Sequence, residues 1–260
     1  MESDTPQIII DPRKFSGQVA VITGAAQGIG EVVSALFAEQ GCTVILLDIN
    51  KEKLEQAEKT LRSNGASVAH RICDITNEDL VRETIDEVVR TFNKIDILAH
   101  LAGIYPAKPL LNVTTAEYRR IFQVNMESCF FLTQAVLPHM QRRHYGRIIN
   151  TASQTMVRPV RGLAVYAASK GAVAAFTRAT ATEVGPGITA NFVSPTLIST
   201  PTTQAGEYQK VLFEKVVEEQ CVKRVGLARD VAHAIMYIAS PEAEFITGQM
   251  FDVGGGSFFH

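Results

Sequence analysis

The chain has 260 residues, which is enough for one α/β domain with a sizeable core but too few for two ordinary large domains. Hydrophobic residues make up 46% and charged residues 20%, a globular composition that argues against disorder. Lys and Arg total 25 against 27 Asp and Glu, so the charge balance argues against a nucleic-acid or anionic-membrane partner and favours a small molecule.

The cysteine pattern and the N-terminus bear on the compartment. The chain has four widely spaced cysteines: Cys42, Cys73, Cys129 and Cys221. They form no CxxC pair and no Cys/His cluster with metal-ligand spacing, so we expect free, mostly buried thiols, a reducing compartment and no metal. Residues 1–14 form an N-terminal extension without the basic start of a signal peptide, and no apolar run approaches the ~18 residues of a membrane span. These features predict a cytoplasmic protein.

Strand-like and helix-like segments alternate from residue 18 onward. Apolar runs predict strands at 19–22, 43–47, 67–72, 95–99, 147–151, 188–193 and around 250–252. Helical periodicity predicts helices near 29–37, 51–62 and 77–91, a long helical region at 115–141, and a helix at 165–183. Near-continuous apolar strands that alternate with helices predict a single α/β domain over 15–260. We expect a Rossmann-type, doubly wound parallel sheet of about seven strands with helices on both faces.

The segment 199–221 differs from the rest because it is polar and follows the sixth predicted strand. Ligands bind at the carboxyl ends of the strands in such sheets, so this segment is a candidate substrate lid. The alternative is an ordinary surface helix with a loop.

A glycine-rich turn, Thr23 to Gly30, joins the first predicted strand to the first helix. It reads T-G-x-x-x-G-x-G, and Val33 stands where the G-x-G-x-x-G pattern needs its third glycine. Glycines let the backbone approach a pyrophosphate, and a helix N-terminus offers free N–H groups to it. The turn therefore predicts a dinucleotide site.

Asp48 ends the second predicted strand, where a carboxylate can bind the adenosine ribose hydroxyls and repel a 2′-phosphate. The turn contains no Arg or Lys, and Ile49 follows Asp48, so we expect NAD rather than NADP. The alternative for Asp48 is an N-cap of the next helix.

Tyr166 and Lys170 share one helix face at i and i+4. The start of this helix is small and apolar, so an unpaired Lys170 would be costly to bury there. Ser153 lies just past the fifth predicted strand, at the ligand end of the sheet. Taken with the glycine-rich turn, these residues predict catalytic chemistry.

These motifs occur in the order and spacing of the classical short-chain dehydrogenase/reductase family, which the chain resembles over about residues 15–258. The resemblance implies a catalytic tetrad of Asn125, Ser153, Tyr166 and Lys170. Tyr166 would be the general acid/base, and Ser153 would donate a hydrogen bond to the substrate oxygen. Lys170 would lower the tyrosine pKa and hold the nicotinamide ribose, while Asn125 would hold a water in a proton relay.

The same resemblance implies a cofactor site, with Asp74 beside the adenine. The expected cofactor-binding residues are Gly24, Gln27, Gly28, Ile29, Gly30, Asp48, Asp74, Ile75, Ala102, Gly103, Tyr166, Lys170, Pro195, Ile198 and Thr200.

Three positions depart from the family pattern. His100-Leu101 stands in place of Asn-Asn, and we expect a core histidine that hydrogen-bonds to backbone; the alternative is that it replaces the asparagine contacts. Thr196 stands where glycine is customary, which puts the local backbone in doubt. The tail 252–256 reads D-V-G-G-G instead of the shorter D-G-G.

Arg158 and Arg161 lie between Ser153 and Tyr166, in a loop expected to border the substrate pocket. Two guanidinium groups there favour an anionic or polyhydroxylated substrate, although solvated or subunit-facing arginines are the alternative. Gln154 is a further candidate substrate contact. Additional candidate lining residues are Met156, Gln204 and Tyr208.

The sequence thus predicts an NAD(H)-dependent oxidoreductase that interconverts a secondary alcohol, or a sugar-like hydroxyl, and its ketone. The alternatives are a carbonyl reductase resembling 3-oxoacyl reductases and a non-catalytic dinucleotide-binding regulator. A nucleotide-sugar epimerase would need more residues after Thr200. By resemblance we expect a homotetramer with helical faces at 115–141 and 165–183, and an aromatic C-terminus at 258–260 that packs on a neighbour.

Overall fold

The computed structural model describes residues 13–204 and 207–259 of the chain. Most of the predicted N-terminal extension and His260 therefore lie outside the described residues. Within them, Phe15 packs edge-on against Phe37 with ring centroids 4.9 Å apart, which attaches the start of the described chain to the core.

Seven parallel strands form one sheet, as the sequence predicts. They are β1 (Val19–Thr23), β2 (Thr43–Asp48), β3 (Val68–Ile72), β4 (Ile97–His100), β5 (Gly146–Thr151), β6 (Ile188–Pro195) and β9 (Met250–Val253). Their spatial order is β3-β2-β1-β4-β5-β6-β9. Two short strands, β7 (Ile198–Ser199) and β8 (Gly226–Leu227), pair separately. The order reverses between β1 and β4, and this switch point is where ligands bind in such sheets.

Helices cover both faces of the sheet, because each strand alternates its apolar side chains between the two faces. The helices are α1 (Gly28–Glu39), α2 (Lys51–Ser63), α3 (Glu78–Phe92), α4 (Thr115–Phe122), α5 (Ser128–Arg143), α6 (Ala164–Glu183), α7 (Glu207–Glu219) and α8 (Ala228–Ala239). One core joins α1, α2 and α8 to the sheet, and a second joins α3 and α5 to the opposite face. A smaller cluster around Phe192 packs α6.

The long helical region predicted at 115–141 is three pieces rather than one helix. A capping box formed by Thr114 and Glu117 starts α4, and a π-helical turn, Gln123–Glu127, separates α4 from α5. A π-helical turn inserts one residue into the helical repeat, so apolar periodicity does not reveal it. Its consequence is local: Asn125 lies in this turn and is completely buried.

The thiols match the expectation of free and mostly buried cysteines. Cys42, Cys73 and Cys129 are buried and Cys221 is exposed, and none forms a disulfide. Burial raises the pKa of Cys42 and of Cys129 to about 12, so these two thiols are poor nucleophiles.

Two absences apply to residues 13–204 and 207–259. None of their helices has both the length and the apolar character needed to cross a bilayer. Nor do they bring three or more His, Cys, Asp or Glu side chains together in a way that would hold a metal ion.

Candidate active site

The glycine-rich turn between β1 and α1 has no room for side chains at its key positions. A Cβ at Gly30 would lie 2.2 Å from the carbonyl oxygen of Gly24, and one at Gly24 would lie 3.0 Å from the backbone of Ala102. Gly24 and Gly28 have φ values of +66° and +63°, which favour glycine. Gln27 forms no side-chain cap on α1, so the helix N-terminus keeps N–H groups for an anion. The turn therefore fits the pyrophosphate of a dinucleotide.

Asp48 lies against this turn. Its carboxylate accepts hydrogen bonds from the backbone N–H of Ala26 at 3.3 Å and of Asn50 at 3.0 Å. The alternative interpretation of Asp48 as a helix cap is wrong, because Asn50 caps α2 by accepting from the N–H of Lys53.

Lys53 is a residue near the turn that the sequence reasoning missed. Its ammonium donates a hydrogen bond to the side-chain oxygen of Gln27. The sequence has no basic residue in the turn or directly after Asp48, the two places where a residue that binds a 2′-phosphate is expected. Lys53 instead lies in the first turn of α2, five residues after Asp48.

The ends of β3 and β4 extend the same surface. Asp74 accepts hydrogen bonds from the backbone N–H and the hydroxyl of Thr76, and these hold the pKa of its carboxyl below the usual range. Ile75 beside it is buried. A Cβ at Gly103 would lie 3.1 Å from Asn125 Oδ1 and 3.3 Å from Lys170 Nζ. The backbone after β4 therefore lies so close to two of the predicted catalytic residues that a side chain at Gly103 would crowd both.

The π-helical turn aims Asn125 at the loop after β4. Its Oδ1 accepts from the N–H of Ile104 at 2.9 Å, while its Nδ2 donates to the carbonyl of Ile104 at 2.9 Å and to Ser169 Oγ at 3.0 Å. Ser169 lies next to Lys170 on α6. The amide of Asn125 thus joins the β4 loop to the helix that carries Tyr166 and Lys170.

Lys170 is only 4% exposed, and its Nζ donates to the carbonyl oxygen of Thr151 at 2.7 Å. Burial lowers the pKa of the Lys170 ammonium to about 8, because a low-dielectric environment disfavours the charged form. Its Nζ lies 5.9 Å from the ring centroid of Tyr166.

Tyr166 is partly buried, and its ring meets that of Tyr105 edge-on at a centroid distance of 6.1 Å. We expected Lys170 to lower the pKa of Tyr166, but the structure shows the opposite direction. Burial raises the tyrosine pKa, and the hydrogen bond with Ser153 is the interaction that opposes this rise. Ser153 Oγ also accepts from the N–H of Thr155 at 3.2 Å, which orients it beside the tyrosine.

His100 is 2% exposed at the end of β4. The expectation that backbone groups satisfy its ring is wrong, because both partners are side-chain hydroxyls. Its Nδ1 lies 2.8 Å from Thr23 Oγ1, and its Nε2 lies 3.1 Å from Ser128 Oγ. Burial, with the nearby Lys170 charge, lowers the His100 pKa to about 3, so the ring is neutral at pH 7.

The segment after β6 lies over the glycine-rich turn. A Cβ at Gly28 would be 3.5 Å from the methyl group of Thr200, and the amide of Gln27 donates to Thr202 at 3.4 Å. Ile198 is buried, and Pro195 pairs with Val253 at the end of the sheet. These contacts bring the expected nicotinamide-end residues to the same cleft as the turn.

The backbone at Thr196, where the family customarily has glycine, is unstrained. Its φ does not lie in the left-handed region, and its N–H donates to the carbonyl of Val253 at 3.4 Å. In the tail, Gly255 and Gly256 have φ values of +61° and +73°, so the extra glycine of this sequence supports a turn after β9.

Two candidate substrate residues are bonded to other parts of the chain. The amide of Gln154 donates to both carboxylate oxygens of Asp252, at 2.7 and 3.0 Å, and accepts from the Ser257 hydroxyl at 2.8 Å. Arg158 pairs with Glu219 of α7 at 2.5 Å and donates to the carbonyl of Ser257 at 3.3 Å. Gln154 and Arg158 therefore tie the loop after β5 to α7 and to the tail.

The remaining candidate lining residues differ in what the structure shows. Arg161 is exposed, and the described residues give it no hydrogen bond or ion pair. Gln204 donates to Ser199 at 2.6 Å, and Met156 packs against the cluster around Phe192. The side chain of Tyr208 lies outside the described residues.

Comparison with known proteins identifies relatives along almost the whole chain. A family model described as enoyl-(acyl carrier protein) reductase matches residues 24–257. The chain is 33% identical to the 3-oxoacyl-(acyl-carrier-protein) reductase FabG of Thermotoga maritima over 244 residues, covering 94% of this chain and 98% of the relative. It is equally 33% identical, with the same coverage, to a cyclopentanol dehydrogenase of a Comamonas species.

Solved structures lead to the same family. The crystal structure of a short-chain dehydrogenase/reductase of the glucose/ribitol dehydrogenase type from Brucella melitensis superposes with a TM-score of 0.88 at 31% identity. The match covers 95% of this chain and 99% of that one. Proteins of this family are oxidoreductases that bind a nicotinamide dinucleotide. With the match of sequence and fold over nearly its full length, the chain belongs to the short-chain dehydrogenase/reductase family.

Proposed function

We propose that this oxidoreductase uses NAD(H) to interconvert a secondary alcohol, or a sugar-like hydroxyl, and the corresponding ketone. The observation that carries the proposal is the grouping of Tyr166, Ser153 and Lys170 at the ends of β4 and β5, with Asp48 held against the glycine-rich turn. The first three side chains would transfer a proton to or from the substrate oxygen, and Asp48 would select the cofactor.

Tyr166 is the proposed general acid/base. In alcohol oxidation its hydroxyl oxygen takes the substrate proton, and in ketone reduction it returns one. Ser153, which hydrogen-bonds to Tyr166, stabilises the charge that develops on the substrate oxygen. The nicotinamide dinucleotide supplies or accepts the hydride when bound.

Lys170 and Asn125 are the residues that we propose relay the proton to and from Tyr166. With a pKa of about 8, the Lys170 ammonium can release and regain a proton near neutral pH. Asn125 lies next to Lys170 through Gly103 and Ser169, and its amide is fixed by Ile104. At Tyr166 itself, the hydrogen bond with Ser153 offsets part of the rise in pKa that burial causes.

The cofactor preference rests on Asp48. Its carboxylate is held at the end of β2 by two backbone N–H groups, in position to accept hydrogen bonds from ribose hydroxyls. A 2′-phosphate at the same place would meet this negative charge. We propose NAD(H) on that ground.

A second candidate function is a carbonyl reductase of the 3-oxoacyl type. Lys53 favours it, because this ammonium next to Gln27 could bind the 2′-phosphate of NADP(H). Relatives named for either activity are equally similar to the chain. The cofactor and the direction of reaction separate the two candidates.

The substrate and the assembly are also proposals. The exposed Arg161 supports an anionic or polyhydroxylated substrate, whereas the charge of Arg158 is matched by Glu219. We propose that segment 199–221 covers the substrate, since its start touches the glycine-rich turn and its end is joined to the loop after β5.

We propose a homotetramer, and the exposed Phe130 of α5 and Phe259 near the C-terminus suit subunit contacts. Light scattering tests it, and a clean monomer would contradict it.

The experiment for the proposed function is a substrate panel read at 340 nm. Secondary alcohols, sugars, hydroxy acids and sulfonated alcohols are tested with NAD⁺ and NADP⁺, and the matching ketones and a 3-oxoacyl thioester with NADH and NADPH. Turnover with NAD⁺ and an alcohol supports the proposal. Turnover confined to NADPH and the thioester supports the carbonyl reductase instead. Tight cofactor binding with no turnover in any arm would favour a dinucleotide-binding regulator.

A further inference from the structure

His100 lies where three elements of the site meet. Its Nδ1 contacts Thr23, the last residue of β1 before the glycine-rich turn. Its Nε2 contacts Ser128, the first residue of α5 after the π-helical turn that carries Asn125. The ring itself ends β4, directly before the backbone that reaches Gly103.

The hydrogen bonds around the ring determine its tautomer. The Ser128 hydroxyl has one proton, and it donates this proton to the carbonyl of Val124 at 2.6 Å. Its oxygen must therefore accept from His100, so the proton of the neutral ring is on Nε2. Nδ1 is then an acceptor, and the Thr23 hydroxyl donates to it.

The Thr23 hydroxyl completes the network. With its proton directed at His100, its oxygen accepts from the backbone N–H of Leu101 at 3.1 Å and of Ala102 at 3.2 Å. Thus one buried chain of hydrogen bonds runs from the end of β4 through Thr23 and His100 to Ser128. Buried networks in which each member is satisfied fix the relative positions of the elements they join.

We propose that His100 is a positioning residue that fixes the glycine-rich turn and the π-helical turn relative to the end of β4. Through Thr23 it holds the backbone of Ala102, and through Ser128 it holds the turn that presents Asn125. Its effect on cofactor affinity rests on the proposed function, whereas its tautomer and its effect on the Asn125 loop do not.

Three substitutions separate the two arms of the network. His100→Asn keeps an acceptor close to the position of Nδ1 and loses the donor to Ser128. His100→Gln places an amide donor near the position of Nε2 and loses the acceptor for Thr23. Ser128→Ala removes the second arm without touching His100.

A matched control is available on α6. The Thr177 hydroxyl donates to the carbonyl of Val173 at 2.7 Å and accepts from the side chain of Asn150 on β5 at 2.9 Å. It therefore repeats the arrangement of Ser128 between a strand side chain and a helix carbonyl. Thr177→Val should cost stability as Ser128→Ala does, and leave the cofactor turn and the Asn125 loop unchanged.

The first readout is the ¹⁵N spectrum of histidine in the cofactor-free protein at pH 7. We expect His100 to show a protonated Nε2 and an unprotonated Nδ1. The second readout is the amide resonance of Ile104, which reports the hydrogen bond to Asn125. We expect His100→Asn and Ser128→Ala to shift this resonance, and Thr177→Val to leave it in place. A proton on Nδ1, or equal shifts in Ser128→Ala and Thr177→Val, would overturn the proposal.

The third readout is the Kd for NADH, followed by nicotinamide fluorescence. One buried hydrogen bond is worth about 1 kcal/mol, so His100→Gln should weaken binding about fivefold, while His100→Asn stays within about twofold of the wild type. Equal affinity of wild type and His100→Gln would contradict the positioning role. A wild type that binds neither NADH nor NADPH would overturn the proposed function instead, and the first two readouts would still decide on His100. They also decide if His100→Gln does not fold.

Discussion

The polar groups around Lys170 are buried, whereas the ion pair that joins segment 199–221 to the loop after β5 is exposed to solvent. Lys170, Asn125 and His100 are at most 4% exposed, and each is hydrogen-bonded to another element of the fold. The Arg158–Glu219 pair has side chains that are both 38% exposed. A buried polar group must keep its partner, whereas an exposed ion pair contributes only about 0–1 kcal/mol. We therefore propose that the buried region determines the reaction class, while the exposed region can change substrate choice at little cost in stability.

The largest expected effect comes from the buried region. Tyr166→Phe removes the hydroxyl of the proposed general acid/base, so kcat should fall by about 100- to 10,000-fold. Cofactor affinity should fall far less, because the ring of Tyr166, the glycine-rich turn and Asp48 are all retained. Steady-state kinetics and NADH titration measure the two quantities. Tyr105→Phe, in the ring that packs against Tyr166, is the control and should retain most activity.

Lys170→Met tests whether a side chain needed for activity in the buried region lowers the stability of the fold. Below pH 8 the buried Lys170 cation lowers the free energy of unfolding, so Lys170→Met should be inactive yet more stable than the wild type by about 1–3 kcal/mol at pH 7. Between about pH 8 and 10.5 the folded wild type releases the proton while the unfolded chain keeps it. The stability of the wild type therefore rises relative to the variant over this range.

Urea unfolding of the two proteins at pH 7 and pH 9.5 checks this prediction. The difference between them should shrink as pH rises, and the raised pKa values of the buried tyrosines cancel because both proteins contain them. Lys108→Met is the control, since Lys108 pairs with Glu117 at the surface, so that substitution should give no such trend. If Lys170→Met were less stable than the wild type at pH 7, the buried Lys170 cation would not lower the free energy of unfolding.

Asp48 belongs to neither region, because its carboxylate is held against the glycine-rich turn, at the proposed cofactor site. Asp48→Ser should weaken NADH binding by about tenfold, because hydrogen bonds to a charged acceptor are lost. It should also strengthen NADPH binding, because the repulsion of the 2′-phosphate is removed while Lys53 remains nearby. Asp79→Ser, which removes an exposed carboxylate from α3, should change neither affinity. An unchanged ratio of the two affinities in Asp48→Ser would place cofactor selection elsewhere.

The smallest effects are expected in the exposed region. With an anionic substrate, Arg161→Met should raise KM about threefold to tenfold without changing kcat, because an accessible charged hydrogen bond is lost. Arg158→Met should change KM about twofold or less, because its charge is already matched by Glu219. A larger rise in KM for Arg158→Met than for Arg161→Met would show that the ion pair with Glu219 does not keep Arg158 from the substrate.

Much of the fold could be predicted from the sequence because its signals are local. Each strand of the sheet is a short apolar run, and Tyr166 and Lys170 lie one helical turn apart. The glycine-rich turn is likewise a contiguous motif, and the structure shows the close approach of Gly30 to Gly24 that requires glycine.

The rest depends on contacts between distant residues, which a single sequence does not display. The position of Gln154 after β5 predicts a substrate contact, but nothing near it in the sequence shows that its amide binds Asp252, which is 98 positions away. The partners of His100 are 77 and 28 positions away. Asp48 and Asn50 both suit a helix cap chemically, and only the backbone path shows that Asn50 is the cap.

The central claim is that Asp48 and the glycine-rich turn form an NAD site. Its most direct test needs no substrate: titration of the purified protein with NADH and with NADPH, followed by the fluorescence of the reduced nicotinamide. The account predicts saturable binding of both, with NADH tighter by about tenfold or more. Tighter binding of NADPH, or no binding of either dinucleotide, would contradict it.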